Sequence, residues 1–360
     1  MKFALLYELD MAPEMGATEH QIFWEAVEQV KLAEQIGFDT VWAVEHHFLK
    51  NFSHSSAPEI FLTTVAQHTS TIRIGHGVVL LPTPFNHPVR VAERTATLDI
   101  ACNGRLEVGT GRSITTEELG GFAIDPDDSR PMWDESVRII PKMWTQDLFE
   151  GIDGKYVKIP PRHVVPKPIQ QPHPPMWMAC TSPPSFELAG QYGLGVLCFT
   201  IGEPGELETL ISSYRQAVKN ADPVGSFVNE QVAGFTVLHV GEDDAEARRA
   251  GGENAIWYFG ELFKYFGEIA AYEGYRDYKK RAEDAAAFYQ EEVHDKLVHN
   301  LSEKAVICAG DPERCIDIIK QYEAQGIDMF IGIVQVGNIA HEEIMAGLKL
   351  FGDKVMPAFA

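Results

Sequence analysis

The chain has 360 residues, with 30 Lys and Arg against 52 Asp and Glu, a formal charge of −22 at pH 7, and 45% hydrophobic residues in an ordinary globular mixture. That acidic balance argues against holding nucleic acid or an anionic membrane through a broad basic surface, and no run of 18 apolar residues is present to span a bilayer. Five cysteines without a C-x-x-C pair suggest neither a disulfide framework nor a structural zinc site, so reduced, buried thiols in a cytoplasmic protein without a signal peptide are expected.

In chain order, residues 2–7 read as a strand. Thr18 and Gln21 then form a capping box, and Phe23, Ala26, Val27, Val30 and Ala33 recur at helical spacing until Gly37. Strands follow at 39–44, 72–80, 105–110 and 176–180. Ser182 as N-cap and Pro183 at the first helical position open a helix that runs to Gly193 and feeds the apolar strand 195–199. After a strand at 232–240, Asp311 and Pro312 start another helix, Gly326 ends it, and 329–334 is the eighth strand. Continuous apolar strands alternating with helices belong to a parallel sheet covered on both faces, and eight of them predict a closed (β/α)8 barrel, an α/β fold. An open doubly wound sheet is the alternative, but the G-T-G at Gly109 to Gly111 lacks the G-x-G-x-x-G spacing of a dinucleotide loop. One domain over 1–360 is expected, with insertions at about 120–175, which holds ten prolines, and 242–303, which is charged and aromatic.

Two groups of residues carry chemistry. Glu45, His46 and His47 fall where the second strand ends, at the mouth of such a barrel, where active sites lie. Neighbouring side chains on a strand face opposite ways, so one histidine should face the cavity and the other pack outward, which makes the pair a poor metal chelate. A neutral imidazole there would suit proton transfer near pH 7, although a hydrogen-bonded structural pair is the commoner meaning of adjacent histidines. The second group is Arg112, Arg130, Thr181, Ser182 and Ser185: guanidinium groups, hydroxyls and a helix N-terminus together suit a phosphate. Taken separately, the same residues read as a surface ion pair and a plain N-cap.

The segments MKFALLYE, GFDTVWAVEHHF, IRIGHGVVLLPTPFNHPVRVAER, LDIACNGRLEVGTGR, DSRPMWDESVRII and PMWMACTSPPSFELAGQYGLGV resemble the bacterial luciferase-like flavin-dependent monooxygenases nearly end to end. The resemblance implies a (β/α)8 barrel that takes reduced FMN from a separate flavin reductase, reacts it with O2, and uses a flavin C4a-peroxide to oxidise a small organic substrate. His46 matches the family's acid/base histidine, and Glu45 beside it is grouped with the cofactor residues. Arg112 and Arg130 match phosphate-binding arginines, and Thr181, Ser182 and Ser185 lie in the serine-rich phosphate segment. Cys180 stands where the luciferase catalytic chain has a carboxylate, and Gly111 where it has a cysteine. Gly77 and Val78 match a non-proline cis peptide beneath the flavin ring. The aromatic stretch 257–278 is expected to close as a lid, and the assembly to be a homodimer. Two further readings are an F420-dependent hydride-transfer enzyme of the same superfamily and a non-catalytic flavin-binding subunit. In the luciferase heterodimer that subunit lacks the counterparts of His46 and Arg112, and both are present here.

Overall fold

The computed structural model describes residues 1–279, 283 and 294–360; part of the expected 242–303 insertion therefore lies outside the described residues. Eight parallel strands form the framework: β1 (Lys2–Tyr7), β2 (Thr40–Ala43), β3 (Arg73–Leu80), β4 (Leu106–Gly111), β5 (Met176–Cys180), β6 (Gly195–Phe199), β7 (Val232–Val240) and β8 (Met329–Ile333). Each pairs with the next, Ala4 opposite Thr40 and Val196 opposite Val232. β8 pairs back onto β1, with Lys2 opposite Met329, so the ring is closed and the open doubly wound alternative is excluded. A short strand, Cys308–Gly310, extends the outer end of β7.

The local signals act as their chemistry predicts. Thr18 and Gln21 cap the helix Glu19–Ile36 reciprocally, and Gly37 ends it in the left-handed region at φ 99°. The helices Pro58–His68, Pro88–Ala101, Pro126–Val137, Pro183–Gln191 and Pro312–Ala324 each begin with a proline, whose missing N–H costs nothing at that position. All five cysteines are free and buried. No described helix is long and apolar enough to cross a membrane.

Strand alternation separates two cores. Phe3, Leu5 and Tyr7 of β1 pack outward under the helices, whereas Ala4 and Leu6 join Trp42, Trp177, Leu197 and Ile331 inside the ring. Trp42 and Trp177 meet edge to face, 5.4 Å between centroids, and fill the barrel's lower part. Gly75 makes room for them, since a Cβ there would lie 2.2 Å from the Trp42 ring. The buried Glu107 carboxylate accepts from the Trp177 indole at 2.7 Å and pairs with Arg73. Filling the floor leaves the space at the other end, where the strands terminate.

The 120–175 segment contains the helices Pro126–Val137 and Ile140–Thr145 and a hairpin of Ile152–Asp153 with Lys158–Ile159, anchored by buried Trp133 and Trp144. After β7 comes the 26-residue helix Asp244–Ile269, which packs along the ring's mouth. Close packing makes a direct prediction. A Cβ on Gly109 would sit 2.2 Å from the backbone oxygen of His76, an obstacle that cannot rotate away. Gly109→Ala should therefore lower stability by roughly 1–3 kcal/mol or more, read from the urea midpoint. Gly120→Ala, with nothing within 4 Å of the added carbon, should leave the midpoint unchanged or raise it.

Candidate active site

A cavity of about 390 Å³ opens at the carboxyl ends of the strands, within the size range of small-molecule sites. Continuing the inward row of β1 beyond Leu6 brings Glu8 to its wall, and continuing that of β2 beyond Val44 brings His46. His47 faces away from the cavity, stacked on Phe85 at 5.8 Å and paired with Glu45 at 3.1 Å. Glu45 borders the cavity and ties β2 to β3, accepting from the Leu80 amide and the Asn86 side chain, each at 2.8 Å. The division of the two histidines is the one that strand alternation predicts.

His46 is held by partners that spacing did not reveal. Its Nδ1 lies 3.0 Å from Glu118, and its Nε2 faces Glu8 at 3.7 Å. Glu118 is fully buried. Ser113 Oγ at 2.7 Å, Thr115 Oγ1 at 2.9 Å and the His47 amide at 2.9 Å all donate to it, on a short helix capped by Thr115. Burial alone would raise its pKa, but His46 and these donors hold it below the ordinary carboxylate value. Burial likewise works to discharge His46, yet Glu118, then Glu8 and Glu45, outweigh it and raise the imidazole to about 9. This corrects the expectation of a neutral imidazole: near pH 7 the ring is a cation. Glu8 accepts from Tyr258 at 3.0 Å on one oxygen and has no hydrogen bond to the other among the described residues. Burial, offset by His46 and Tyr258, raises Glu8 to about 7. Glu8, Glu118 and Tyr258 were missed in the sequence. Only Glu8 had a legible signal, as an acid in the inward row just past a strand.

The opposite part of the cavity is cationic. Arg112, immediately after β4, donates to Ser129 at 3.1 Å and to the Gly274 carbonyl at 2.6 Å, with its guanidinium 3.8 Å from the Tyr275 ring centre. Arg130, on Pro126–Val137, lies 5.1 Å from the Trp133 ring centre. Neither has an acidic partner among the described residues. Burial, followed by repulsion from Arg112, pushes Arg130 down to about 10. Thr181, Ser182 and Ser185 also line the cavity. The helix N-terminus differs from the expectation: the Thr181 and Ser182 amides donate to Ser185 Oγ at 3.1 and 3.0 Å, and Pro183 and Pro184 have no N–H. An anion there would meet guanidinium and hydroxyl groups rather than an amide nest. Cys180 points into the core instead of the cavity, its Sγ 3.3 Å from the Ser185 carbonyl.

Between the two parts, the Gly77–Val78 peptide is cis, and both residues line the wall. Gly111 is close behind, where a Cβ would be 2.4 Å from Val78 Cγ2. The stretch 257–278 borders the cavity through Tyr258, Leu262, Gly274 and Tyr278: Tyr275 donates to the Ser113 carbonyl at 2.8 Å, and Tyr278 and Thr181 hydroxyls meet at 2.6 Å.

These charges set a pH dependence. Glu8 rises from 4.5 to about 7, so the native state holds a proton that the unfolded chain releases, and stability falls as pH climbs through that window. His46, raised from 6.5 to about 9, contributes stability fully present below 6.5 and lost as pH rises through 9. The groups facing Glu8 are His46, Tyr258, Glu118 and Asp10. Glu8→Gln should match the parent in denaturant melts near pH 4.5 and exceed it by about 3 kcal/mol at pH 8. A constant difference across that range would contradict the assignment.

Residues 1–329 match the family model described as luciferase-like monooxygenase. The chain is 28% identical to the oxygenase component of the flavin-dependent trigonelline monooxygenase of Acinetobacter baylyi, over 100% of this chain and 96% of that one. A monooxygenase crystal structure from Streptomyces bottropensis superposes with a TM-score of 0.80 and 27% identity, covering 100% of both chains. The same fold occurs in the oxygenating constituent of 3,6-diketocamphane monooxygenase from Pseudomonas putida, in complex with FMN, at TM-score 0.77 and 21% identity over 99% and 98% of the two chains. It occurs also in an F420-dependent secondary alcohol dehydrogenase, at 0.72 and 21%, over 100% and 99%. A match over nearly the whole barrel, strand-end site included, places this chain in the luciferase-like monooxygenase family.

Proposed function

We propose that the protein is the oxygenase of a two-component system, taking reduced FMN from a separate flavin reductase and using O2 to oxidise a small organic substrate. The observation that carries this reading is the pair of guanidinium groups, Arg112 and Arg130, which have no carboxylate partner among the described residues, at the rim of a largely apolar cavity. Unpaired cations that close call for an anion, and a phosphate tail satisfies them. When bound, reduced flavin supplies the two electrons that let one oxygen atom enter the substrate while the other leaves as water. The relative described as an oxygenase component of a flavin-dependent monooxygenase supports the same division of labour.

The chain's own residues have definable parts. Arg112 and Arg130 bind the phosphate, aided by the hydroxyls of Thr181 and Ser182, each charge-assisted bond contributing about 1.5–3 kcal/mol. Gly77, Val78 and Gly111 provide a wall of small profile for the ring. Phe52, Phe199, Phe235 and Leu262 keep water from the reacting centre, and the stretch around Tyr275 and Tyr278 closes above it. His46, charged through Glu118, holds a proton at Nε2 on the cavity wall, a role of about 10²- to 10⁴-fold in rate.

Arg112→Ala and Arg130→Ala should each weaken FMN binding by about tenfold or more, measured by fluorescence titration; unchanged affinity would remove that arginine from the phosphate site. His46→Ala should keep FMN affinity but consume oxygen without matching product, and coupled turnover at the parent rate would exclude His46. Product formation that needs O2 and a flavin reductase separates this reading from F420-dependent hydride transfer, which proceeds without oxygen.

A further inference from the structure

The oxygenase reading gives Glu8 no part. Glu8 is 3% exposed and borders the cavity; its Oε1 is engaged by Tyr258 at 3.0 Å, and its Oε2 accepts no hydrogen bond among the described residues. A buried acceptor without a donor is unfavourable unless something else donates to it. His46 Nε2, at 3.7 Å, is an ionic neighbour beyond hydrogen-bond reach. Around this pair the lining is aromatic: Phe199 and Phe235 stack with centroids 5.0 Å apart, and Phe52 tilts against Tyr258 at 5.1 Å.

We propose that Glu8 selects the substrate, its free carboxylate oxygen accepting a hydrogen bond from the hydroxyl of a phenol whose ring lies among Phe52, Phe199 and Phe235. The inference rests on the reading that this cavity admits the substrate. Charge favours a neutral donor. An ammonium group reaching Glu8 would also face the His46 cation, and a carboxylate would face Glu8 with Glu118 behind it. A neutral hydroxyl presents its proton to Glu8 and its oxygen lone pairs toward His46, so both neighbours gain. The ring then meets aromatic faces and edges, which favour offset or edge-on contact.

The test is calorimetric titration at pH 8 of the full-length protein with 4-methylphenol, un-ionised at that pH, and with its methyl ether, 4-methylanisole, which has no hydroxyl proton. In the parent the phenol should bind at least about tenfold tighter than the ether, and Glu8→Gln should lose about that factor for the phenol while leaving the ether unchanged. The ether's affinity doubles as the folding control, and Glu8→Asp, which keeps the charge, serves as a second variant expected to retain a preference for the phenol. Equal affinity for the two compounds, absence of binding by both, or a preference that survives in Glu8→Gln would overturn the proposal. So would tighter binding of 4-methylbenzylamine or 4-methylbenzoate than of the phenol. The FMN titrations and oxygen-coupling measurements report on the oxygenase reading separately, so either idea can fail while the other stands.

Discussion

Closing eight parallel strands into a ring forces every second side chain of each strand toward one axis, and the space there is finite. Trp42 and Trp177 occupy the lower part of that space, with Gly75 reduced to a hydrogen so that they fit. The inward rows then arrive at the upper end with room left, and whatever residues come next on each strand meet across an open cavity. Glu8 arrives from β1, His46 from β2, Arg112 from β4 and Thr181 from β5. The site is thus a consequence of closure, drawn from positions that are far apart along the chain.

Within that cavity, the count of hydrogen bonds decides which buried groups are charged. Glu118 has three donors besides His46, so it remains ionised despite complete burial and keeps the imidazole protonated. Glu8 has one donor among the described residues, and burial outweighs its attraction to His46, raising it to about 7, so that its proton comes and goes around neutrality. At the other side the two arginines have hydroxyl, carbonyl and aromatic neighbours but no ion pair with an acid among the described residues. A chain with a formal charge of −22 therefore keeps two arginines at its mouth without an ion-pair partner among the described residues. Local pairing, rather than net charge, governs which ligand the rim attracts.

In the proposed function, the order of this cavity, with cations outside, a glycine wall between and an aromatic chamber with the Glu8–His46 pair within, separates anchoring from chemistry. On the proposed reading, binding strength at the rim leaves the inner groups free to respond to a substrate, as a remote anchor serves a reacting centre. The 120–175 segment contributes Arg130 to the rim, and the chain after β7 contributes Tyr258 to the inner wall and Tyr275 above it. Both long connections thus take part in the site as well as covering it.

Sequence alone determined what depends on neighbours a few residues away. The cap at Thr18, the prolines opening helices, the left-handed Gly37 and the eight apolar strands follow from local backbone chemistry, and alternation along β2 separated His46 from His47. Motif resemblance, not spacing, brought Arg112 and Arg130 together, because 17 residues and a helix lie between them. Only the tertiary structure decided that Glu118, 72 residues beyond His46, would hold its ring charged, that Tyr258 would reach Glu8, and that Ser185 would consume the amides expected for an anion. Protonation and hydrogen-bond occupancy depend on which groups share a dry volume, and that is settled by how the ring closes rather than by any stretch of chain.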